Sequence, residues 1–430
     1  LDKEDFHMSK RKGIVLSVSL LMIFLTFGLS IASAQTLKVT AEAWYYNKYE
    51  LEEAARRFQA DHPGVEFEWS KAGDFEVAPL MLAWSRDRYI ADIAIVASPS
   101  EAVAFQAKDL ILSFDDVLVG EYAKDKWLGG FLDQCTIGGK VYAIPSDAEV
   151  MTLIGRADFA KEAGLTDADG NIIVAKDFDE LYEHLKKLTV KDDSGRTTRY
   201  GMTVNWSPEY MVYAYFSGVQ AQRGTIYTDD GKLDFSSPEA LALLEFWRRG
   251  VDEGLISTSS LVDHSGPRND MKSGLAAILW EDHARVIEIG QVVGQEKMQI
   301  VPIPGSETNG TVSYTMSLMI PKNARHPELA KKFVLEQLNA PWFAHDLMDR
   351  WGKLLGLKAN VEDRLDDPIW ATVFRLADNS VGLPKTVDHA KMVDIMTAEI
   401  HNMLKMQQSP EQTLANIRQQ TEHLNLEPII

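Results

Sequence analysis

Residues 37–69 read LKVTAEAWYYNKYELEEAARRFQADHPGVEFEW, and their patterning decides the fold class. Leu37 to Ala41 is a short strand pattern. Tyr49 to Asp61 places Leu51, Ala54, Ala55 and Phe58 on one helical face, and His62-Pro63-Gly64 stops that helix. Val65 to Trp69 alternates as a second strand, and Asp92 to Ala97 is apolar throughout, as a buried strand would be. Strand, helix, strand, helix in this order predicts an α/β sheet covered by helices on both faces.

Working outward, Lys140 to Pro145 reads as another strand, while Phe178 to Leu188, Pro238 to Glu253, Pro327 to Leu338 and His389 to Met406 follow helical periodicity. Ala168 to Asn171, Lys191 to Arg196 and Thr228 to Gly231 are polar turns. Towards the amino terminus, Lys10, Arg11 and Lys12 precede an uncharged apolar run of 18 residues, Ile14 to Ile31, and then Ala32-Ser33-Ala34. That order predicts a secretory signal peptide cleaved near Ala34, and so an exported, periplasmic product. The run is also just long enough for an uncleaved anchor. A lipid anchor would need a Cys at the cleavage point. The single Cys135 lies far inside, is read as a buried apolar side chain, and cannot form an internal disulfide.

Removing Leu1 to Ala34 from the 430 residues leaves 396, which exceeds the range of one growing core and predicts two lobes. The remaining 40 Lys and Arg against 60 Asp and Glu give a net charge of −20, which disfavours nucleic acid and anionic membrane as partners. No low-complexity linker divides the chain, so it is expected to cross between lobes more than once.

Several blocks then resemble the family 1 extracellular solute-binding proteins, the ligand-capturing subunits of ABC importers that include maltose-binding protein. LEEAARRFQADHPGV at Leu51 to Val65 resembles the family's first helix, and GGKVYAIPSDAEVMTLI at Gly138 to Ile154 its entry into the hinge. Tyr200-Gly201-Met202 is similar to the start of a second-lobe strand, and MKSGLAAIL at Met271 to Leu279 to a small-residue turn feeding a strand. Pro302 to Pro304, Ile320-Pro321-Lys322, HPELAKKFV at His326 to Val334 and SPEQTL at Ser409 to Leu414 complete the series. Gly155-Arg156 and Trp280-Glu281-Asp282-His283 depart from the family pattern. The resemblance implies a two-lobe periplasmic-binding-protein fold of type II-like architecture with a hinge and an interlobe cleft. Residues 35–147 with 300–350 are expected in the first lobe, and 148–299 with 351–430 in the second. It also implies a monomeric binder that hands cargo to permease subunits in the membrane, with no cofactor.

Sugar capture needs aromatic faces for pyranose C–H patches and planar polar groups for hydroxyl edges; ten Trp and thirteen Tyr supply the former. Trp44, Tyr45 and Asn47 follow the first strand, where open α/β sheets place ligand contacts. Ser98 and Ser100 end a later strand, either as ligand donors or as a helix cap. Asp147 and Glu149 lie in the hinge block, and Glu149 matches a sugar-contacting Glu of maltose-binding protein by that resemblance. Asn205, Trp206 and Tyr210 follow the strand that begins at Tyr200. Trp280, Glu281 and Asp282 close another. Arg350, beside Trp351, offers a planar fork to a carboxylated sugar or makes a surface ion pair. Trp84 falls in an apolar helical stripe and is read as core.

Catalytic signatures are absent: no nucleophile elbow, no His-Glu-x-x-His, no phosphate loop and no dinucleotide fingerprint. His264 and His283 are too isolated to predict a metal site. The expected function is carbohydrate capture without catalysis. A polyamine or other small polar cargo is the alternative within the family, and a polysaccharide hydrolase is the alternative outside it, because a glycosidase carboxylate pair needs no fixed spacing along the chain.

Overall fold

The computed structural model describes residues 35–72, 77–96 and 99–427; the expected leader and Ser98 lie outside them. The opening strand–helix–strand order folds as read, with a short helix over Ala43–Lys48 that the sequence reading did not mark and the amphipathic helix starting at Leu51 rather than Tyr49. Strand β1 (Gln35–Glu42) runs into helix α1 (Ala43–Lys48), then α2 (Leu51–Asp61), β2 (Val65–Ala72) and β3 (Ile93–Val96). β1 pairs in parallel with both β2 and β3. The predicted face of α2, Leu51, Ala54, Ala55 and Phe58, is buried against them.

The element that organises the molecule is β4 (Ile144–Arg156), thirteen residues buried at every position. Its first half pairs with β8 (Val312–Met319), which continues to β3. Its second half pairs with β6 (Ala276–Asp282) and β7 (Met298–Val301), and β6 lies parallel to β5 (Thr197–Val204). The sheet therefore runs β2-β1-β3-β8-β4-β6-β5, with short strands added at its margins. One apolar core gathers around β1 and β3 with Leu318 and Phe333. A second gathers Leu153, Met202, Trp247, Trp280 and Ile400. A smaller cluster holding Ala148, Val150, Met348, Leu354 and Trp370 lies where the two meet.

Two local features shape that meeting point. β4 and β8 slip register between the pairs Ser146↔Met316 and Glu149↔Tyr314, so that Asp147 and Ala148 face one residue, Thr315. Asp147 takes up the extra length in the left-handed region, at φ 49°, a conformation costing a non-glycine residue about 1 kcal/mol or more. A third pass of the chain follows helix α7 (Pro341–Trp351): Ala148 N–H donates to Leu354 O at 2.8 Å, and Leu354 N–H to Ala148 O at 3.1 Å.

Gly352 ends α7 at φ 70°, and a Cβ there would lie 2.7 Å from Ala284 O and 2.9 Å from Ala284 Cα. Backbone blocks backbone, so no side-chain rotation relieves the contact. Gly352→Ala is expected to lower unfolding stability by about 1–3 kcal/mol, read as a reduced urea midpoint at unchanged m-value.

Candidate functional site

The site lies around the three chain passes between the two cores. From the first core, α1 brings Trp44, Tyr45 and Lys48, with Tyr49 following. Their spacing stacks Trp44 above Lys48 and Tyr45 above Tyr49, one turn apart. Tyr45 and Tyr49 are buried edge to face at 4.5 Å. Tyr45 shares a 2.6 Å hydrogen bond with Ser146 Oγ, and Tyr49 donates to Asp147. Trp44, half-buried, donates Nε1–H to Glu42 at 2.7 Å. Trp351, at the end of α7, closes this wall: its ring lies 6.3 Å from that of Tyr49 and 4.5 Å from Lys48 Nζ.

The opposite wall comes from the second core. Helix α3 (Pro208–Arg223) carries Tyr210 and Tyr213, and the Tyr213 ring lies 4.7 Å from that of Tyr314 on β8. Helix α5 (Gly266–Ser273) brings Arg268 and Lys272, and α6 (Arg285–Val293) brings Arg285 and Glu288. Glu281 and Asp282 end β6 between them, fully buried.

The floor is a charge network. Lys353 holds Asp147 at 3.0 Å and also pairs with Glu149. Arg285 contacts Glu281 at 2.9 Å, Asp282 at 3.0 Å, Glu149 at 3.2 Å and Glu288 at 2.7 Å. Arg268 grips Glu281 through Nε at 2.8 Å, Lys272 holds Glu288 at 2.7 Å, and Tyr314 OH donates to Asp282 at 3.0 Å. Burial draws Lys353 down to about 8 although Asp147 pulls the other way. Burial works to raise the carboxyl of Glu288, but Arg285 and Arg268 outweigh it and bring it to about 2. Burial holds Glu281 above its usual range against the pull of Arg268 and Arg285. Among the described residues no group of His, Cys, Asp or Glu could hold a metal ion. Burial raises the Cys135 thiol to about 12.

Of the residues expected at a ligand site, Trp44, Tyr45, Asp147, Glu149, Tyr210, Glu281, Asp282 and Trp351 come together here. Others do not. Trp206 and Trp280, expected as stacking surfaces, are core residues: both rings pack edgewise on Trp247, at 5.2 and 5.7 Å. Their indole N–H groups are satisfied inside, by Ser257 O at 2.8 Å and Ser217 Oγ at 3.1 Å. Asn205 is buried and orders the start of α3, accepting from Ser207 Oγ at 2.7 Å and donating to His264 O. Asn47 is exposed and accepts from Lys71 at 2.7 Å. Arg350 makes the surface pair, to Glu50 at 2.6 Å and Asp346 at 3.2 Å. Ser100 belongs to the helix Pro99–Ala107 that follows β3. Trp84 is core, edgewise to Phe105 at 5.0 Å. Sequence reading missed Lys48, Tyr49, Arg268, Arg285, Glu288, Tyr314 and Lys353. The recurrence of Arg285 three and four residues after Asp282 and Glu281 was the one local signal.

A family model described as bacterial extracellular solute-binding protein matches residues 44–335. The chain belongs to that family. Lipoprotein LipO of Bacillus subtilis is 28% identical over 232 residues, 48% of this chain and 44% of its own length. A lactose-binding protein of Rhizobium radiobacter is 24% identical over 276 residues, 61% of this chain and 58% of its own. The matches thus span about half the length of these two relatives. Among solved structures, maltose-bound MalE3 of T. maritima superposes with TM-score 0.73 at 18% identity, over 90% of this chain and 99% of that one. A solute-binding protein of Thermotoga lettingae with bound α-D-tagatose gives 0.74 at 18% identity, over 90% and 99%. The fold is the two-lobe periplasmic-binding-protein architecture expected from the sequence.

Trp206→Ala and Trp280→Ala are each expected to cost the ligand-free protein about 3–5 kcal/mol by emptying core volume, measured by urea denaturation. His283 Nδ1 accepts from Val150 N–H at 3.1 Å, and burial lowers it from 6.5 to about 4. Between those pH values the unfolded chain binds the extra proton and the native state does not, so stability falls as pH drops from 6.5 to 4. His283→Asn, whose Oδ1 replaces the acceptor, is expected to flatten that window in pH-resolved denaturation curves.

Proposed function

We propose that this solute-binding protein captures a carbohydrate between its lobes in the periplasm and passes it, unmodified, to the membrane subunits of an ABC importer. One observation carries the reading: half-buried rings on both walls, Trp44 and Trp351 opposite Tyr210, border a polar floor built at the chain passes. Rings on two lobes beside fixed polar groups suit a sugar held by its faces and edges. A ligand touching both walls favours the closed arrangement over the open one, which supports closure about the passes. Acting as a monomer, with Leu1 to Ala34 removed on export, remains part of this proposal. So does the lobe division, with the first return moved from residue 300 to Met316, because Val301, Ile303, Val312 and Tyr314 pack in the second core, and with the last crossing moved from residue 351 to beyond Leu357, because Leu355 and Leu357 pack in the first.

The same network weighs against the alternatives. Asp147, Glu149, Glu281 and Asp282 are each bonded to the protein's own Lys353, Arg285 or Arg268, so none of the four is free to cage a polyamine. Glu281, whose carboxyl burial holds above its usual range, is fully enclosed and bonded to Arg268 and Arg285, unlike the presented proton donor of a glycosidase.

A thermal-shift screen of mono- and oligosaccharides with polyamine controls tests the reading. A saccharide at a hundredfold its Kd should stabilise the protein by about 2.7 kcal/mol, with no reducing ends released, and Trp44→Ala should weaken binding at least about tenfold. Stabilisation by polyamines alone, or reducing ends appearing on incubation, overturns it.

A further inference from the structure

Lys48 differs from the other cations around the site. Arg268, Lys272, Arg285 and Lys353 each hold a carboxylate. Among the described residues Lys48 has no ion pair or hydrogen bond, only aromatic faces: its Nζ lies 4.5 Å from the Trp351 ring centroid, 5.6 Å from Tyr49 and 5.8 Å from Trp44. Asp147, the acid that acts on it most strongly, is already engaged by Tyr49 and Lys353. A half-buried ammonium has three donors to satisfy, and ring faces recover only part of its lost hydration. The Trp351 indole N–H, on the ring that Lys48 covers, is likewise enclosed without an acceptor among the described residues.

We propose that the cargo is an acidic saccharide, and that Lys48, set between Trp351 and Trp44, receives a carboxylate borne by its sugar. The inference rests on the carbohydrate reading above and deepens it. Two unsatisfied donors on one wall call for an acceptor-rich group, and a charged acceptor bonds an ammonium more strongly than a hydroxyl does. As the one cation named here that touches no carboxylate, Lys48 offers a single positive charge to a carboxylate. A phosphate dianion would bring a second negative charge towards Asp147 and Glu149, whose own cations are already committed. The rings flanking Lys48 then offer faces to the sugar that carries the acid.

The test is calorimetric titration of the full-length exported protein with di- and trimers of galacturonate, glucuronate and mannuronate. The neutral galactose, glucose and mannose oligomers and galactose 6-phosphate serve as comparisons, at low and high salt, for wild type, Lys48→Gln and Lys48→Arg. At least one uronate oligomer is expected to bind about tenfold or more tightly than its neutral counterpart. That preference should weaken with salt, vanish in Lys48→Gln and return in Lys48→Arg. Neutral oligomers binding as well as uronates, with Lys48→Gln unchanged, overturns the acidic cargo and leaves carbohydrate capture standing. Preference for the sugar phosphate overturns the carboxylate. No binding of any saccharide by protein with a wild-type melting point overturns both readings.

Discussion

Three segments far apart in sequence meet within one residue of Ala148, and the buried charge between them governs the rest. Asp147 and Glu149 flank that residue on a strand with no exposed position. Lys353, from the third pass, bonds both. A buried pair of this kind adds little net stability over an apolar substitute, but removing one partner strands a charge at a cost of about 3–5 kcal/mol. Its effect is registration: the third pass cannot slide along the first without separating Lys353 from two carboxylates. The bulge at Asp147 serves the same end. By spending an extra residue there, β4 turns the Asp147 carboxyl towards Tyr49 and Lys353, while Ala148 stays bonded to Leu354.

Arg285 extends this registration into the second lobe. Its guanidinium meets Glu149 on the crossing strand, Glu281 and Asp282 at the end of β6, and Glu288 on its own helix. With its planar fork occupied on several sides, Arg285 acts as a rivet between strand and helix. The acids that look most like ligand readers in the sequence are therefore the frame that holds the walls. The half-buried rings and Lys48 are what that frame presents.

The distinction explains which parts of the chain were legible. Amphipathic elements announced themselves: α2 and the helix Phe178–Leu188 bury the faces their periodicity marks. β4 did not, because a strand buried on both sides yet carrying Ser146, Asp147, Glu149 and Thr152 has neither alternation nor an apolar run, and only Lys140 to Pro145 was read as strand. α3 was hidden for the opposite reason. Its residues from Met211 to Ala221 are all buried, so no polar face gives it a period, and Trp206 just before it was taken for a loop aromatic. The partners of the charged residues were illegible in principle: Lys353 lies 204 residues from Glu149, and only the topology joins them.

An acidic chain that receives an acidic ligand is no contradiction. The net charge of −19 is distributed over the whole sequence, and at physiological salt exposed charges are screened beyond about 8 Å. What a bound carboxylate experiences is the half-buried neighbourhood, where screening is weak and Coulomb terms are large. There each acid of the floor is bonded to Lys353, Arg285, Arg268 or Lys272, and Lys48 is the cation left without a carboxylate in contact. Distant negative charge slows the approach of an anion, whereas the contact at Lys48 governs how long it stays. Global acidity and local selectivity are thus separable, and selection between neutral and acidic cargo falls to one side chain on the first wall.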